Sequence, residues 1–144
     1  MSEQKIDKNR RQEILLVTIY LFSQHRKKEN SLYDRDKEVS RSELVDCLRE
    51  VQKEFALGYE FLEKLSYELN SDLNDLRFQK GYIRKWKYGQ RGAPLFPTNF
   101  VALKPLGRGH VKKISLSFEL IEVLNKAIEL AIEKYKKTWG PYAR

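Results

Sequence analysis

The chain has little of what catalytic and metal sites are usually built from. One cysteine, Cys47, and two histidines, His25 and His110, stand in 144 residues. A single thiol closes no intramolecular disulfide and supplies no Cys-rich zinc site. No H-E-x-x-H pair, P-loop, nucleophile elbow or complete G-x-G-x-x-G is present. The fragment Gly107-Arg108-Gly109 reads instead as a turn where one element enters the next. These absences predict a protein that is not an enzyme and carries no cofactor and no metal. Long apolar runs are missing too. The longest, ILLVTIYLF from Ile14 to Phe22, contains Thr18, is about half of what a bilayer span requires, and has no small-residue cleavage site behind it. A cytoplasmic protein without a membrane anchor is the expectation.

Charge is abundant, and it is unevenly placed. Lys and Arg number 28 against 20 Asp and Glu, a formal net charge of +8, while 41% of residues are hydrophobic, enough for one cored domain. Asp75 is the last acid before Glu119; residues 76–118 hold ten Lys or Arg and none of the 20 acids. The positive charge is therefore local, and a polyanion is the partner it suits.

Helical periodicity dominates the rest. Residues 1–11 are polar and unpatterned, an expected flexible N-terminal arm. From Arg11 to His25 apolar groups sit on almost every face, so that helix wants cover from a second subunit or a second helix layer. Ser40 and Glu43 have capping-box spacing, and Leu44, Cys47, Leu48, Val51 and Phe55 follow as one apolar stripe, predicting a helix over 41–54 with Cys47 as a core residue. Residues 56–65 fit strand or helix. Ser66 is placed to cap a helix whose buried face is Leu69, Leu73 and Leu76 and which Gly81 stops. Glu68, Asp72 and Asp75 on that helix should weaken its affinity for phosphate, leaving Tyr67, Asn70, Ser71 and Asn74 for base edges.

Beyond Gly81 the pattern turns to strand. Tyr82–Tyr88 and Asn99–Lys104 are strand candidates, joined by a loop with Gly89, Gly92, Pro94 and Pro97, in the outline of a wing. Its cations would lie along a phosphate backbone, with Arg91 reaching a narrow minor groove; the competing reading is a basic edge that blunts exposed strands. A final helix over 117–137 carries Ile121, Leu124, Ile128 and Tyr135 on one broad apolar face.

Phe100–His110, FVALKPLGRGH, resembles the second wing strand and following helix start of winged helix-turn-helix domains of the MarR or PadR type. Residues 41–83 are similar to a group including SocA-type antitoxins and related archaeal and bacterial proteins. Leu44, Leu48, Tyr59, Phe61, Ser66, Glu68, Leu69, Asp72, Leu73, Leu76, Gly81 and Ile83 match its pattern. Glu63, Lys64 and Leu65 depart from it, and Leu76 to Gly81 is one residue longer than the pattern has. The resemblance covers less than a third of the chain.

The expected fold is mainly α with a small β-hairpin: a winged helix-turn-helix with N- and C-terminal dimerisation helices. Residues 12–116 form the winged-helix domain, with the wing at 82–104, and 117–144 the C-terminal dimerisation helix and tail. The expected function is homodimeric transcriptional regulation through duplex DNA. Its nucleic-acid-binding residues are Tyr67, Asn70, Ser71, Asn74, Arg77, Arg84, Lys85, Lys87, Arg91 and Arg108, and its dimer interface comprises Ile19, Phe22, Ile121, Leu124, Ile128 and Tyr135. Two other readings compete. One is a protein-protein module, antitoxin- or adaptor-like, presenting Trp86, Tyr88, Leu95 and Phe96. The other is a single-strand or RNA binder that stacks bases on Tyr82, Trp86 and Tyr88.

Overall fold

Asp7 accepts the amide of Arg10 on its side chain at 2.8 Å and that of Arg11 on its carbonyl at 2.9 Å, which starts the first helix, α1 (Lys8–Lys27), well before the expected end of the arm. The computed structural model describes residues 6–27, 39–63, 65–87 and 99–139. No Gly or Pro interrupts α1. Its residues 14–19 are all buried, and the Thr18 hydroxyl meets its own need by donating to the Ile14 carbonyl at 2.7 Å.

A two-residue strand, β1 (Val39–Ser40), leads directly into α2 (Arg41–Val51). The expected capping box is formed: the Glu43 amide donates to Ser40 Oγ at 3.1 Å and the Ser40 amide donates to Glu43 Oε1 at 3.0 Å. Because its carboxylate is used this way, Glu43 is tolerated in full burial. The described residues of 56–65 form neither helix nor strand. The Gln52 side chain takes the place of a strand partner, accepting from the Tyr59 amide at 2.8 Å and donating to its carbonyl at 3.0 Å. A tight turn follows, with Leu62 and Leu65 exchanging backbone hydrogen bonds around Glu63 at φ 57°.

Next come α3 (Tyr67–Asn74), continued by a π turn (Asp75–Gln79), then strands β2 (Ile83–Lys87) and β3 (Asn99–Leu103). These two strands pair antiparallel from Ile83 opposite Leu103 to Lys87 opposite Asn99, and β1 adds to the other side of β3, giving the order β1-β3-β2. As the central strand, β3 is buried at all four positions from Phe100 to Leu103, whereas Arg84 on the edge strand β2 is exposed.

Pro105 opens a short helix, α4 (Pro105–Val111), so Gly107-Arg108-Gly109 is helical rather than a turn. The backbone of Tyr82 runs directly over it: a Cβ on Gly107 would lie 2.2 Å from the Tyr82 carbonyl oxygen. The Tyr82 and His110 rings stack at 4.6 Å beside that crossing. The last helix, α5 (Phe118–Trp139), lies against α2 and α1, and an ion pair of 3.6 Å from Lys134 to Asp46 spans α2 and α5.

The architecture is mainly helical with a small three-stranded antiparallel sheet around one core. That core corrects the expected dimer interface. Ile19, Phe22, Leu124, Ile128 and Tyr135 are buried inside a single chain, and only Ile121 is partly open. The apolar surplus of α1 is covered by α4, α5, β1 and β3, which supply the second layer from within the chain. By the same packing α5 belongs to the body of the domain rather than to an appended dimerisation unit. Among the described residues no helix is long and apolar enough to cross a membrane.

Candidate nucleic-acid interface

The site is built on α3. Ser66 Oγ accepts the Leu69 amide at 3.2 Å, so the helix starts where the sequence indicates. Leu69, Asp72, Leu73 and Leu76 point into the core, and one of the four is a carboxylate. Asp72 is completely buried and saturated. Arg11 grips it with both arms, Nε at 2.7 Å and Nη2 at 3.0 Å; Tyr59 donates its hydroxyl at 2.8 Å and Gln12 its amide at 3.2 Å. The hydrogen bond to Asp72 raises the Arg11 pKa above its ordinary value, and burial, reinforced by the Asp72 charge, pushes the Tyr59 phenol well up.

Asp75, one turn further, is also turned toward α1. Lys8 reaches it at 3.0 Å and Gln12 at 3.0 Å, and these contacts hold its carboxyl below the usual range. Glu68 stays beside the helix start, accepting the Glu60 amide at 3.2 Å, and backbone amides hold it below the usual range as well. The expectation that acids would spoil the outer face of this helix is thus corrected for two of the three. Asp72 and Asp75 face α1, where they are neutralised.

What faces out is a stripe at helical spacing, Tyr67, Ser71, Asn74 and Phe78, all exposed. Tyr67 is 90% exposed at one end and Phe78 69% at the other. Asn70 and Arg77 flank the stripe, and the Arg77 guanidinium sits over the Phe78 ring, 4.5 Å from its centroid. Arg41, the first residue of α2, donates through Nη1 to Asn70 Oδ1. Burial lowers the Arg41 pKa, and its other terminal nitrogen has no partner among the described residues.

The π turn places the Lys80 amide on the Asp75 carbonyl at 3.0 Å, and the Tyr82 amide then reaches back to the Leu76 carbonyl at 2.8 Å over Gly81 at φ 69°. This wider turn carries the chain from Leu76 to Gly81, where the helix ends. The chain then enters β2. Lys80, Arg84, Lys104, Arg108, Lys112 and Lys113 are all exposed. Of the other residues expected to touch nucleic acid, Lys85 and Lys87 lie on the β2 backbone, while Arg91 falls outside the described residues, as do Tyr88, Leu95 and Phe96.

The sequence reading missed Phe78 and Arg41. Phe78 carries a usable signal, since it falls four residues after Asn74 and eleven after Tyr67; Arg41 carries none, because its contact to Asn70 is tertiary. Cys47 is fully buried and burial pushes its thiol up, as a core role requires. Among the described residues no three His, Cys, Asp or Glu side chains come together to hold a metal ion. Compared with protein-family models, curated proteins and solved structures, the chain has no match.

Proposed function

We propose that this protein binds duplex DNA as a winged helix-turn-helix, with α3 in the major groove and the β2–β3 hairpin along the adjoining phosphates. The observation that carries this reading is the sorting of charge about α3: its buried carboxylate and Asp75 are turned to α1, while its outer stripe is uncharged and polar with aromatic ends. Such a face tolerates the negative field of a groove and offers groups that bond to base edges. The sheet supports it further, because β1 precedes α2 and pairs with β3, both strands lie against α2, and β2 lies against the π turn that continues α3. Exposed Lys80, Lys104, Arg108, Lys112 and Lys113 would supply the non-specific phosphate attraction. Regulation of transcription is the role such a module serves most directly.

The test is a salt titration of binding to random-sequence duplex. Each phosphate contact adds roughly −0.9 to the slope of log K against log salt. Replacing Lys85, Lys87 and Arg91 together by Ala should reduce both affinity and slope while leaving the melting temperature nearly unchanged. Unaltered binding by that variant removes the hairpin from the mechanism.

A second reading, a protein-docking module, is favoured by one observation. Leu62 and Leu65, 75% and 63% exposed, stand beside Tyr67 on a groove of about 660 Å³ whose other walls include Glu60 and Phe61. Its mark would be binding to a protein partner that is insensitive to salt, with negligible binding to duplex.

A further inference from the structure

Within α3 the two asparagines are not equivalent. A guanidinium has only donors, so the atom that Asn70 turns to Arg41 is its carbonyl oxygen, whose orientation is thereby fixed by a neighbour in the chain. Reading adenine in the major groove takes both ends of the side chain at once, the oxygen accepting from N6 and the nitrogen donating to N7. Asn70 is half-buried and its oxygen is engaged, so it is fitted to positioning. Asn74 is exposed on the outer stripe and makes no capping hydrogen bond to the turn that follows.

Phe78 lies four residues on, also exposed, in the π turn that begins immediately after Asn74. A large apolar ring left in water on a helix facing a groove has one natural counterpart there, the C5 methyl group of thymine, the only apolar group a base edge presents. One turn of helix advances about 5 Å, or one to two base pairs. Arg77 over the ring keeps a cation at the same point, where a phosphate would neutralise it.

From these positions we infer that α3 and the π turn continuing it read an adenine through Asn74 and, one to two base pairs away, a thymine methyl through Phe78, with Asn70 held by Arg41 as a positioning residue. The inference rests on the duplex-binding reading above and specifies the bases it selects.

The experiment uses the full chain and a pool of duplexes with randomised sequence. Selection should converge on sites containing an adenine with a thymine one to two base pairs away. Replacing that thymine by deoxyuridine, which removes only the methyl group, should weaken wild-type binding by about three- to fivefold, the effect of one buried methyl group. Phe78→Ala should bind the two duplexes equally. Asn74→Ala should lose about five- to hundredfold of the discrimination at the adenine and keep its dependence on deoxyuridine. Duplex binding with a normal salt slope but no converged site, or with both preferences unchanged in the two variants, overturns the inference and leaves the duplex-binding reading standing. Absence of duplex binding by the wild type overturns both.

Discussion

Arg11 and Asp72, 61 residues apart in sequence, form a two-armed ion pair with N–O distances of 2.7 and 3.0 Å, and the carboxylate has no exposure to water. The pair fixes the rotation of α3 against α1. Tyr59 completes it, its hydroxyl on Asp72 and its ring under the Arg11 guanidinium at 4.9 Å.

Removing one partner leaves the other charge buried alone. Arg11→Ala or Asp72→Ala is therefore expected to cost about 3–5 kcal/mol, read by urea denaturation. The double variant should cost less than the sum of the two singles, because neither charge is then stranded. Additive losses would mean that the two side chains act independently.

This pairing was legible in part. Asp72 falls three residues after Leu69 and four before Leu76, on the apolar side of its own helix, so its burial follows from spacing. Its partner does not, since nothing in the run Lys8–Gln12 says which side chain reaches a helix 60 residues away. The Ser40–Glu43 box and the Ser66 cap were legible because capping is a local exchange between side chain and backbone within one turn. The destiny of α1 was not: apolar residues on every face state how much cover a helix needs, and packing inside the chain decided that α4, α5 and the sheet provide it. Residues 56–65 defeated the pattern for a similar reason. The Tyr59 amide and carbonyl are satisfied by the Gln52 side chain, a partner that neither period reveals.

At position 107 of α4 the Tyr82 backbone leaves room for glycine and no larger residue. Gly107→Ala would set a methyl group against a carbonyl that also accepts the Lys104 amide at 2.9 Å. The strand and helix must separate, an overpacking loss of about 1–3 kcal/mol. Thermal melting should show it, and Gly109→Ala, where a Cβ meets nothing within 4 Å, serves as the control and should not lower stability.

Asp75 supplies a pH dependence of known sign. Hydrogen bonds from Lys8 and then Gln12 lower its folded pKa, so in acid the unfolded chain takes up its proton first. The stability it contributes is complete above its unfolded value, about 4, and is lost as pH falls through the lower folded value. Comparing wild type with Asp75→Asn by melting temperature should show the widest gap near neutral pH and a closing gap below about pH 4. A gap that widens in acid would contradict the pairing.

In the proposed duplex-binding role, the outer stripe of α3 and its π turn meets a polyanion. Ser71 stands in the middle of that stripe, exposed, where a longer side chain disturbs no packing. The most direct measurement is duplex affinity of Ser71→Glu beside that of Lys126→Glu, an exposed position on α5, with melting temperatures recorded for both. The expected result is a loss of at least tenfold for Ser71→Glu, a much smaller one for Lys126→Glu, and little change in melting for either. Equal affinities for the two variants would contradict the account, because a carboxylate cannot sit in a groove lined by phosphates without cost.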